Sequence, residues 1–572
     1  MINYEEKIAE ILAQQIPGME KTEIVGMIEK PQDSRMGDYA FPCFRLAKVM
    51  KKAPPLIAAG IAEAIESFTL FEKVEQVNAY VNMFVSRNEF VRNVIEEVVS
   101  VGEDYGKSGQ GEGKPVIVEY SSPNIAKPFH IGHIRSTVIG ASIAHIYEFL
   151  GYNVTRINHL GDYGTQFGKM IVAYRHWGNK QDVIDEPIRT LLSYYTRFHI
   201  EVENNPSLED EARATFARLE AGETEEMELW QWFRDESLRE FSRVYDMLGI
   251  TYDSYAGESF YSDKMPRFVK ELSEKGLMEE DQGAQIVRLE EYGMSPALIT
   301  KSDGSTLYIT RDIAAAVYRK ETYDFYKNIY VVASQQNLHF QQWIKILELM
   351  GYEWAQDCVH VPFGLVSLED GTMSTREGRV VFLEEVLKGA VDKTREIIRE
   401  KNPDADDDTV EEIAGAVGIG AVVFNELSNY RIKDYVFSWS NVLNFEGETG
   451  PYVQYTHARA CSILRNAGEE VVAAASKGFD PGYITSDSAY ALAKLLYEFP
   501  AVIEDAGAKY EPSVVTRHIV DIAQSFNRFY HDEHILVKDE DEKVAKIAMV
   551  IAAKTAIKTG LGLLGMKAPE RM

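Results

Sequence analysis

The segment EYSSPNIAKPFHIGH, from Glu119 to His133, places two histidines around a glycine where a predicted strand meets a predicted helix. The β-branched run Val116–Tyr120 predicts a buried strand, and Ile134–Leu150 carries apolar residues at helical spacing on more than one face. A second predicted strand, Asn153–Ile157, completes a βαβ unit. Ligands bind at the carboxyl ends of such strands, against helix amino termini that attract anions. We therefore expect a nucleotide triphosphate at this turn.

His130 and His133 are the candidates for stabilising charge on that triphosphate. Their ring N–H groups could donate to phosphate oxygens as charge moves to the departing pyrophosphate, and losing one such donor costs roughly 3 kcal/mol in comparable sites. Gly132 has no side chain, so an adenine ring could approach the backbone closely. Taken alone, the H-x-G-H pattern is equally compatible with two surface histidines at a helix cap.

The longer stretch SSPNIAKPFHIGHIRST resembles the signature of class I aminoacyl-tRNA synthetases, and specifically of arginyl-tRNA synthetases. Further matches follow in the family's order along the chain: NHLGDYGTQFG at Asn158–Gly168, LYITRDIAAA at Leu307–Ala316, ASQQNLHF at Ala333–Phe340 and FEGETGPYVQYTHAR at Phe445–Arg459. The resemblance implies an α/β protein. Its catalytic domain would be the class I synthetase domain, a Rossmann-type parallel sheet with a helical insertion. An α+β domain would precede it, and an all-α anticodon-binding domain would follow at the carboxyl terminus.

The expected boundaries follow the patterns along the chain. Residues 1–110 are predicted to form the amino-terminal domain, which in this family contacts the tRNA elbow, and 111–380 the catalytic domain, interrupted by the insertion at about 173–292. A second βαβ half is predicted from Ile329–Ser334, His339–Gly351 and Cys358–Pro362. Helical periodicity dominates from Val381, which predicts a helical domain over 381–572.

Composition limits the alternatives. Three scattered cysteines are too few for a disulfide framework or a C-x-x-C zinc site, so we expect reduced, buried thiols and no protein metal site. The sequence contains no run of eighteen apolar residues, so no membrane span is predicted. The start of the chain is acidic and amphipathic, unlike a signal peptide. We expect a cytoplasmic protein. Because the net charge is −29, RNA would have to bind through local basic patches.

A planar guanidinium is best held by carboxylates and carbonyl oxygens, and Asp312 is the leading candidate. Tyr308 lies four positions earlier, which would place both side chains on one side of a helix start. On spacing alone, Asp312 could equally be a favourable charge in the first turn of a helix capped by Thr310. The resemblance implies further contacts to L-arginine, namely Glu119, Asn124, Gln336 and His159, with Gln166 as an additional candidate. The loop Gly161–Gly168 could also be only a tight turn.

The sequence departs from the family-wide KMSKS loop at Thr372–Arg376, which reads TMSTR. Threonines occupy both lysine positions, so another cation has to act on the pyrophosphate. Lys127, three residues before His130, resembles the substitute found in arginyl enzymes with a degenerate loop. The resemblance also implies ATP contacts from Ser374 and Arg376, with Mg²⁺ as cofactor.

The carboxyl-terminal part contains the candidate tRNA contacts Tyr455, Arg459 and Tyr530. Aromatic residues at this density usually form a core, and the resemblance to an anticodon-binding bundle favours a second role for a few of them. In the amino-terminal part, the segment Arg35–Lys48 mixes basic and aromatic residues that could meet RNA, although core aromatics explain it equally well.

The resemblance implies a monomeric enzyme whose partners are L-arginine and arginine tRNA, and in which tRNA is bound before arginine is activated. Three alternatives stay open at this point: another class I synthetase, for cysteine or glutamate, a small nucleotidyltransferase, and a regulatory tRNA-binding paralogue without activation. The degenerate TMSTR loop motivates the last alternative, and the presence of His130, His133 and Asp312 disfavours it.

Overall fold

The computed structural model describes residues 3–301, 308–368, 381–438 and 447–572. The chain forms two compact units. The first covers Met1–Tyr105, Thr456–Phe499 and Asp521–Thr559, and the second covers Gly106–Tyr455, Pro500–Val520 and Gly560–Met572. Within the described residues, none of the helices combines the length and the apolar character that crossing a membrane requires. The cysteines Cys43, Cys358 and Cys461 are buried, as expected, and none of them forms a disulfide within the described residues.

The first unit contains a small antiparallel sheet packed against helices. Its strands are Tyr39–Pro42 (β1), Phe71–Val77 (β2) and Tyr80–Val85 (β3), in the order β1-β3-β2. The helices of the amino-terminal part are Tyr4–Ala13 (α1), Lys21–Val25 (α2), Leu46–Met50 (α3), Pro54–Ile65 (α4) and Arg87–Val101 (α5).

The second unit is built on a four-stranded parallel sheet. Its strands are Pro115–Glu119 (β4), Asn153–Ile157 (β5), Lys327–Ala333 (β9) and Cys358–Phe363 (β10), in the order β10-β9-β4-β5. Helix Ile134–Phe149 (α6) connects β4 to β5, and Asn337–Leu349 (α14) connects β9 to β10. Both predicted βαβ halves are therefore confirmed, and their carboxyl ends lie at one edge of the sheet.

Helix α6 is buried along nearly its whole length, which explains why its apolar residues are not confined to one face. A Cβ added at Gly140 would lie 2.1 Å from Cβ of Tyr120, just beyond β4, so only glycine permits this close packing of helix on sheet. On the other side of the sheet, Trp343 and Ile313 belong to a large apolar core between the strands and the helices Tyr308–Tyr323 (α13) and α14.

The insertion is mostly helical, as predicted, and it ends in a small sheet. Its helices are Thr165–Trp177 (α7), Lys180–Asp185 (α8), Pro187–Asn204 (α9), Ser207–Glu220 (α10), Thr224–Leu248 (α11) and Met265–Glu274 (α12). The strands Glu279–Asp281 (β6), Ala284–Val287 (β7) and Ala297–Thr300 (β8) form an antiparallel sheet that the helical prediction missed. The β6–β7 turn is Gln282–Gly283, both with positive φ, a two-residue hairpin in which glutamine replaces the usual asparagine.

The described residues of the carboxyl-terminal part are mostly helical, as predicted, and they include a short strand. Its helices are Leu383–Lys401 (α15), Asp407–Ser428 (α16), Gly450–Ala467 (α17), Glu469–Ala475 (α18), Asp487–Lys509 (α19), Ser513–Asp532 (α20) and Glu540–Leu563 (α21). The strand is Tyr435–Phe437 (β12), which pairs in parallel with Val366–Leu368 (β11). Three residues are too few to produce a strand signal, so only the partner strand reveals this element.

Candidate active site

A cavity of about 750 Å³ opens at the carboxyl ends of β4, β9 and β10. The residues that line it come from the segment after β4, the histidine turn, the end of β9 and the β11–β12 pair: Ser121, Ser122, His130, Gly132, His133, Ser136, Val331, Val332, Ala333, Gln335, Phe363, Gly364, Leu365, Val366, Ser367 and Asp434. The cavity lies where ligands of parallel α/β sheets bind, and it is large enough for a nucleotide.

The histidine turn is held by its own side chains. The backbone N–H of Gly132 donates to Nδ1 of His130 at 3.0 Å, and the backbone N–H of His130 donates to Nδ1 of His133 at 3.1 Å. A neutral imidazole that accepts through Nδ1 carries its proton on Nε2. The single N–H of each ring, at Nε2, is therefore a donor that the turn itself does not use.

Burial fixes the charge of these rings. It lowers the pKa of His130 to about 4. Burial also lowers the pKa of His133 well below its ordinary value. The charges of His130 and Lys127 act in the same direction, and a hydrogen bond to the backbone of His130 opposes them. Both rings are neutral near pH 7. Nδ1 of His133 also lies 3.3 Å from the carbonyl oxygen of His130, but the shorter contact from the backbone N–H of His130 favours the Nε2–H tautomer. Lys127, half-buried before the turn, is close enough for its charge to reach His133.

The segment between β4 and the turn has a strained backbone. Ser121, Ser122 and Ala126 all have positive φ, at 70°, 48° and 58°. Hydrogen bonds hold it: Ser121 N–H donates to Oγ of Ser136 at 2.9 Å, and Ala126 N–H donates to Oγ of Ser237 at 2.9 Å. Strain of this kind clusters at functional sites. The sequence pattern did not reveal it, because none of these residues is glycine.

The predicted guanidinium pocket is partly assembled on α13, Tyr308–Tyr323. Asp312 is one turn after Tyr308 on this helix, as the spacing predicted, and it accepts a hydrogen bond from Nε2 of His339 on α14. Burial lowers the pKa of His339, but the hydrogen bond and the charge of Asp312 outweigh it, so the pKa is raised overall. The alternative that Thr310 caps the helix is wrong, since Thr310 lies inside α13 and donates to the carbonyl of Ile299 at 3.4 Å.

Glu119, predicted to contact arginine, is engaged inside the protein. Its Oε2 lies 2.5 Å from Nη1 of Arg319, and both side chains are buried. The Nδ1 of His159 lies 3.4 Å from Nη2 of the same arginine. The structure thus brings Glu119 and His159 together around Arg319, a residue on which the sequence analysis had placed no role.

The remaining predicted contacts lie at the edges of this region. Asn124 is exposed and forms a parallel bridge with Gly161, which ties the segment after β4 to the Gly161–Gly168 loop. Gln336 is exposed after β9, whereas its neighbour Gln335 lines the cavity. Gln166 donates to the carbonyl of Tyr163 at 3.2 Å. Ser374, Arg376 and the whole TMSTR segment lie outside the described residues.

A second carboxylate near Asp312 was missed in the sequence. Burial raises the pKa of Glu258, and the neighbouring carboxylates Asp312 and Asp162 add to the rise. Arg311 and His159 act in the opposite direction. Arg311 lies 3.3 Å from Glu258. Glu258 begins a short 3-10 helix, Glu258–Lys264, which carries no clear periodic signal, so only the folded chain shows that it lies within electrostatic range of Asp312.

The tRNA candidates are found in both units. Tyr455, in the second unit, is 46% exposed and lines an apolar groove of about 640 Å³ together with Met572, Pro451 and Ile413. In the first unit, Arg459 donates to Oδ1 of Asn527 at 2.5 Å and lies 5.4 Å from the ring centroid of the partly exposed Tyr530.

The first unit also carries an exposed basic patch around α3. We define this patch as Arg45, Lys48, Lys51 and Lys52, all of which are exposed. The apolar side chains of Phe44 and Val49, 55% and 59% exposed, lie within the same segment. Exposed cations next to an exposed aromatic ring are typical of RNA-binding surfaces, and the patch contrasts with the net charge of −29 for the whole chain.

Comparisons with known proteins agree with this geometry. Family models match residues 94–439 ("tRNA synthetases class I (R), catalytic domain"), 453–572 ("DALR anticodon binding domain") and 3–85 ("Arginyl tRNA synthetase N terminal domain"). The chain is 57% identical, over the full length of both proteins, to the arginine–tRNA ligases of Halothermothrix orenii and Clostridioides difficile. It superposes on Thermus thermophilus arginyl-tRNA synthetase with a TM-score of 0.80 and 26% identity, covering 99% of this chain and 100% of that chain. The chain therefore belongs to the arginyl-tRNA synthetase family of class I aminoacyl-tRNA synthetases.

Proposed function

We propose that the chain, as a member of this family, catalyses the ATP-dependent ligation of L-arginine to its tRNA through an arginyl-adenylate, with His130, His133 and Lys127 acting on the triphosphate. One observation carries the assignment of these residues: two neutral Nε2–H donors flank Gly132 at the wall of a nucleotide-sized cavity. The Asp312–His339 pair lies on helices α13 and α14, and α14 follows β9, whose end forms part of that cavity.

In the activation step, a carboxylate oxygen of arginine bonds to the α-phosphorus of ATP, and the bond to the β-phosphate oxygen breaks. Negative charge moves to pyrophosphate as it leaves. The Nε2–H groups of His130 and His133 donate to phosphate oxygens, and the ammonium of Lys127 balances the leaving charge. The side chains neither form a covalent intermediate nor transfer a proton, so catalysis rests on positioning and on fixed donors.

In the transfer step, a hydroxyl oxygen of the terminal ribose of tRNA bonds to the carbonyl carbon of the adenylate. The bond between that carbon and the bridging phosphate oxygen breaks, AMP leaves with its electron pair, and the hydroxyl proton passes to a phosphate oxygen of the departing AMP. This step needs the acceptor end of tRNA in the same cavity. Family membership supports prior binding of tRNA as a condition for activation, and we propose this coupling for the chain.

The guanidinium of arginine is recognised by Asp312, with Glu258 as a second carboxylate nearby. His339 engages Oδ2 of Asp312 and thereby orients the carboxylate, which leaves Oδ1 for a guanidinium N–H. Tyr308, 59% exposed one turn earlier on α13, adds an aromatic face. Asn124 and Gln336 are assigned to the carboxylate and ammonium ends of the substrate, and Glu119 and His159 shape the site through Arg319.

Mg²⁺ is proposed to bind together with ATP. Within the ranges that the structure describes, there is no group of three or more His, Cys, Asp and Glu side chains arranged to bind a metal. Mg²⁺ at kinase-type sites takes most of its ligands from substrate phosphates and water, so the described residues fit a Mg²⁺ complex of ATP better than a resident metal site. The ion, when bound, neutralises phosphate charge.

The tRNA is proposed to bind through separate surfaces with separate tasks. The basic patch of Arg45, Lys48, Lys51 and Lys52, within residues 1–110, contacts the phosphate backbone of the elbow. In residues 381–572, the groove lined by Tyr455 offers an exposed ring and an apolar floor to an unstacked anticodon base. Arg459 and Tyr530 form a second stacking surface. We propose a monomeric, cytoplasmic enzyme with the catalytic domain over 111–380.

A substrate series tests the guanidinium assignment. Wild type, Asp312→Asn and His339→Gln are compared in aminoacylation with arginine and with citrulline, which replaces the guanidinium by a neutral urea. Asp312→Asn is expected to lose about 2 to 3 kcal/mol of arginine binding, seen as a rise in KM for arginine, with a much smaller change in KM for ATP. Equal KM values for arginine in wild type and Asp312→Asn would remove Asp312 from the pocket.

A further inference from the structure

Arg135 occupies an unusual position for a charged residue. It is the second residue of α6, directly after the histidine turn, and its side chain is 0% exposed. Arg135 is not among the residues with a role predicted from the sequence, and the proposed activation chemistry does not use it. A charge buried this completely is costly unless it is paired and hydrogen-bonded.

The guanidinium of Arg135 reaches the start of two strands. Its Nη1 donates to the carbonyl of Gly364 at 2.9 Å, two residues before β11, and to the carbonyl of Lys433 at 2.7 Å, two residues before β12. These strands are themselves tied together: Leu365 N–H donates to Oδ1 of Asp434 at 2.6 Å, and Tyr435 N–H donates to the carbonyl of Leu365 at 3.1 Å. A single side chain thus holds both members of the pair.

The β11–β12 pair forms a wall of the cavity. Gly364, Leu365, Val366, Ser367 and Asp434 line it, and the histidine turn lines it from α6. We name the first set the strand wall. Arg135 is therefore bonded to the strand wall while its own backbone continues the turn that carries His130 and His133.

The strand wall is packed without spare space where Arg135 meets it. A Cβ added at Gly364 would lie 2.5 Å from the carbonyl carbon of Lys433, closer than real Cβ contacts allow. The position of this wall relative to the turn is thus set by two close contacts, the Arg135 hydrogen bonds and the glycine approach.

We propose that Arg135 is a positioning residue for ATP, which fixes the distance between the strand wall and the His130–His133 turn. This inference rests on the proposed function, because it assumes that ATP occupies this cavity. The histidine donors can align with the phosphates only when the strand wall and the histidine turn contact the nucleotide at the same time. A misplacement of 1 Å in such a site can cost about 100-fold in rate.

Electrostatics supports a role in geometry over one in stability. The partner carboxylate, Glu426, is also buried, and its Oε2 lies 3.7 Å from Nε of Arg135, while the ring of Tyr435 lies 5.3 Å from the guanidinium carbon. Buried charged and polar groups of this kind seldom stabilise a protein more than apolar residues of the same size, and their best-attested use is to specify one arrangement.

Two matched pairs of variants test the proposal in pyrophosphate–ATP exchange with arginine and tRNA present. Arg135→Met removes the donors, and its control, Arg156→Met, removes an arginine paired to Glu148 at the far end of α6 at 2.6 Å. Gly364→Ala displaces the strand wall, including the carbonyl that accepts from Arg135, while the Arg135 side chain itself is unchanged. Its control, Gly415→Ala, adds a methyl group where nothing lies within 4 Å. Hydrogen exchange of the peptides that contain 364–368 and 433–437 reports the wall directly.

We expect Arg135→Met and Gly364→Ala to raise KM for ATP about tenfold or more, to leave KM for arginine within about threefold, and to speed hydrogen exchange in the strand wall. Arg135→Lys, which keeps a charged donor, should recover most of the KM for ATP. Both controls should match the wild type. If Arg135→Met does not fold, the comparison of Gly364→Ala with Gly415→Ala decides the test.

Wild-type KM for ATP in Gly364→Ala and in any folded Arg135→Met would overturn the proposal, and so would an equal rise in the KM values of ATP and arginine. Failure of the proposed function looks different, because the wild type itself would then show no arginine-dependent exchange.

Discussion

Nδ1 of His133 accepts the backbone N–H of His130 at 3.1 Å, so the second histidine of the turn fixes the backbone of the first. Nδ1 of His130 in turn accepts from Gly132. The same two contacts leave both rings with Nε2–H donors. Because burial lowers the pKa of both rings below neutrality, they are donors and not acids at pH 7.

This arrangement predicts different effects of two substitutions at His133. His133→Asn places an amide oxygen near the position of Nδ1 and keeps the accepted N–H, but it removes the Nε2–H donor. We expect kcat for pyrophosphate exchange to fall about 100-fold or more with little change in the thermal unfolding midpoint. His133→Gln places an amide donor near Nε2 and should retain more activity. The reverse ranking of the two variants would contradict the assigned tautomer.

Lys127 is expected to substitute for the lysines missing from TMSTR. Its charge reaches the histidine turn, since it helps to lower the pKa of His133. Lys127→Ala should remove most of the arginine activation and leave the unfolding midpoint unchanged. The control is Lys114→Ala, a partly exposed lysine paired with Glu112 at 3.0 Å, which should behave as the wild type. Near-normal exchange by Lys127→Ala would reject this role.

Glu426 predicts a pH-dependent stability. Burial raises its pKa to about 8, with Arg135 acting against the rise. The folded protein then keeps a proton that the unfolded chain has already released, so this residue stabilises the fold fully only below its unfolded pKa, and the contribution is lost as pH rises to about 8. Glu426→Gln lacks this titration. As the pH rises from about 5 to 8, the thermal unfolding midpoint of Glu426→Gln should increase relative to that of the wild type.

A flat difference between the two proteins over that range would contradict the raised pKa of Glu426. It would instead indicate that Arg135 keeps the carboxylate ionised throughout.

The basic patch predicts a salt-dependent defect in tRNA binding. Lys51→Glu and Lys52→Glu should each raise KM for tRNA and flatten the slope of log affinity against log salt, while KM for arginine and for ATP should not change. Lys270→Glu on α12, another exposed lysine, serves as the charge-matched control. If the slope of log affinity against log salt were unchanged in both patch variants, the basic patch would not be the elbow contact.

Local patterns predicted the elements of the parallel sheet because each one is long, apolar and bounded by polar turns. The predicted strand Asn153–Ile157 coincides with β5, and the predicted helix Ile134–Leu150 ends one residue beyond α6. The β6–β7 hairpin and β12 were missed, since their strands have only three or four residues and one turn lacks asparagine. Short pairings depend on distant partners that a sequence window does not contain.

The same limit applies to the candidate site. The motif HIGH and the spacing of Tyr308 and Asp312 could be found along the chain, because their members are neighbours in sequence. The pairs Asp312–His339 and Glu119–Arg319, and the contacts of Arg135 with Gly364 and Lys433, join residues that are tens to hundreds of positions apart. No periodicity encodes them, and only the packed structure reveals them.

Exchange of labelled pyrophosphate into ATP by the wild-type chain is the most direct test, measured with arginine, lysine, citrulline, glutamine and cysteine, each with and without purified arginine tRNA. Exchange that requires arginine and appears only when tRNA is present is the predicted result. Exchange supported equally by citrulline would contradict recognition of the guanidinium by Asp312. Absence of exchange under all conditions, with tRNA binding retained, would contradict the proposed activation step itself.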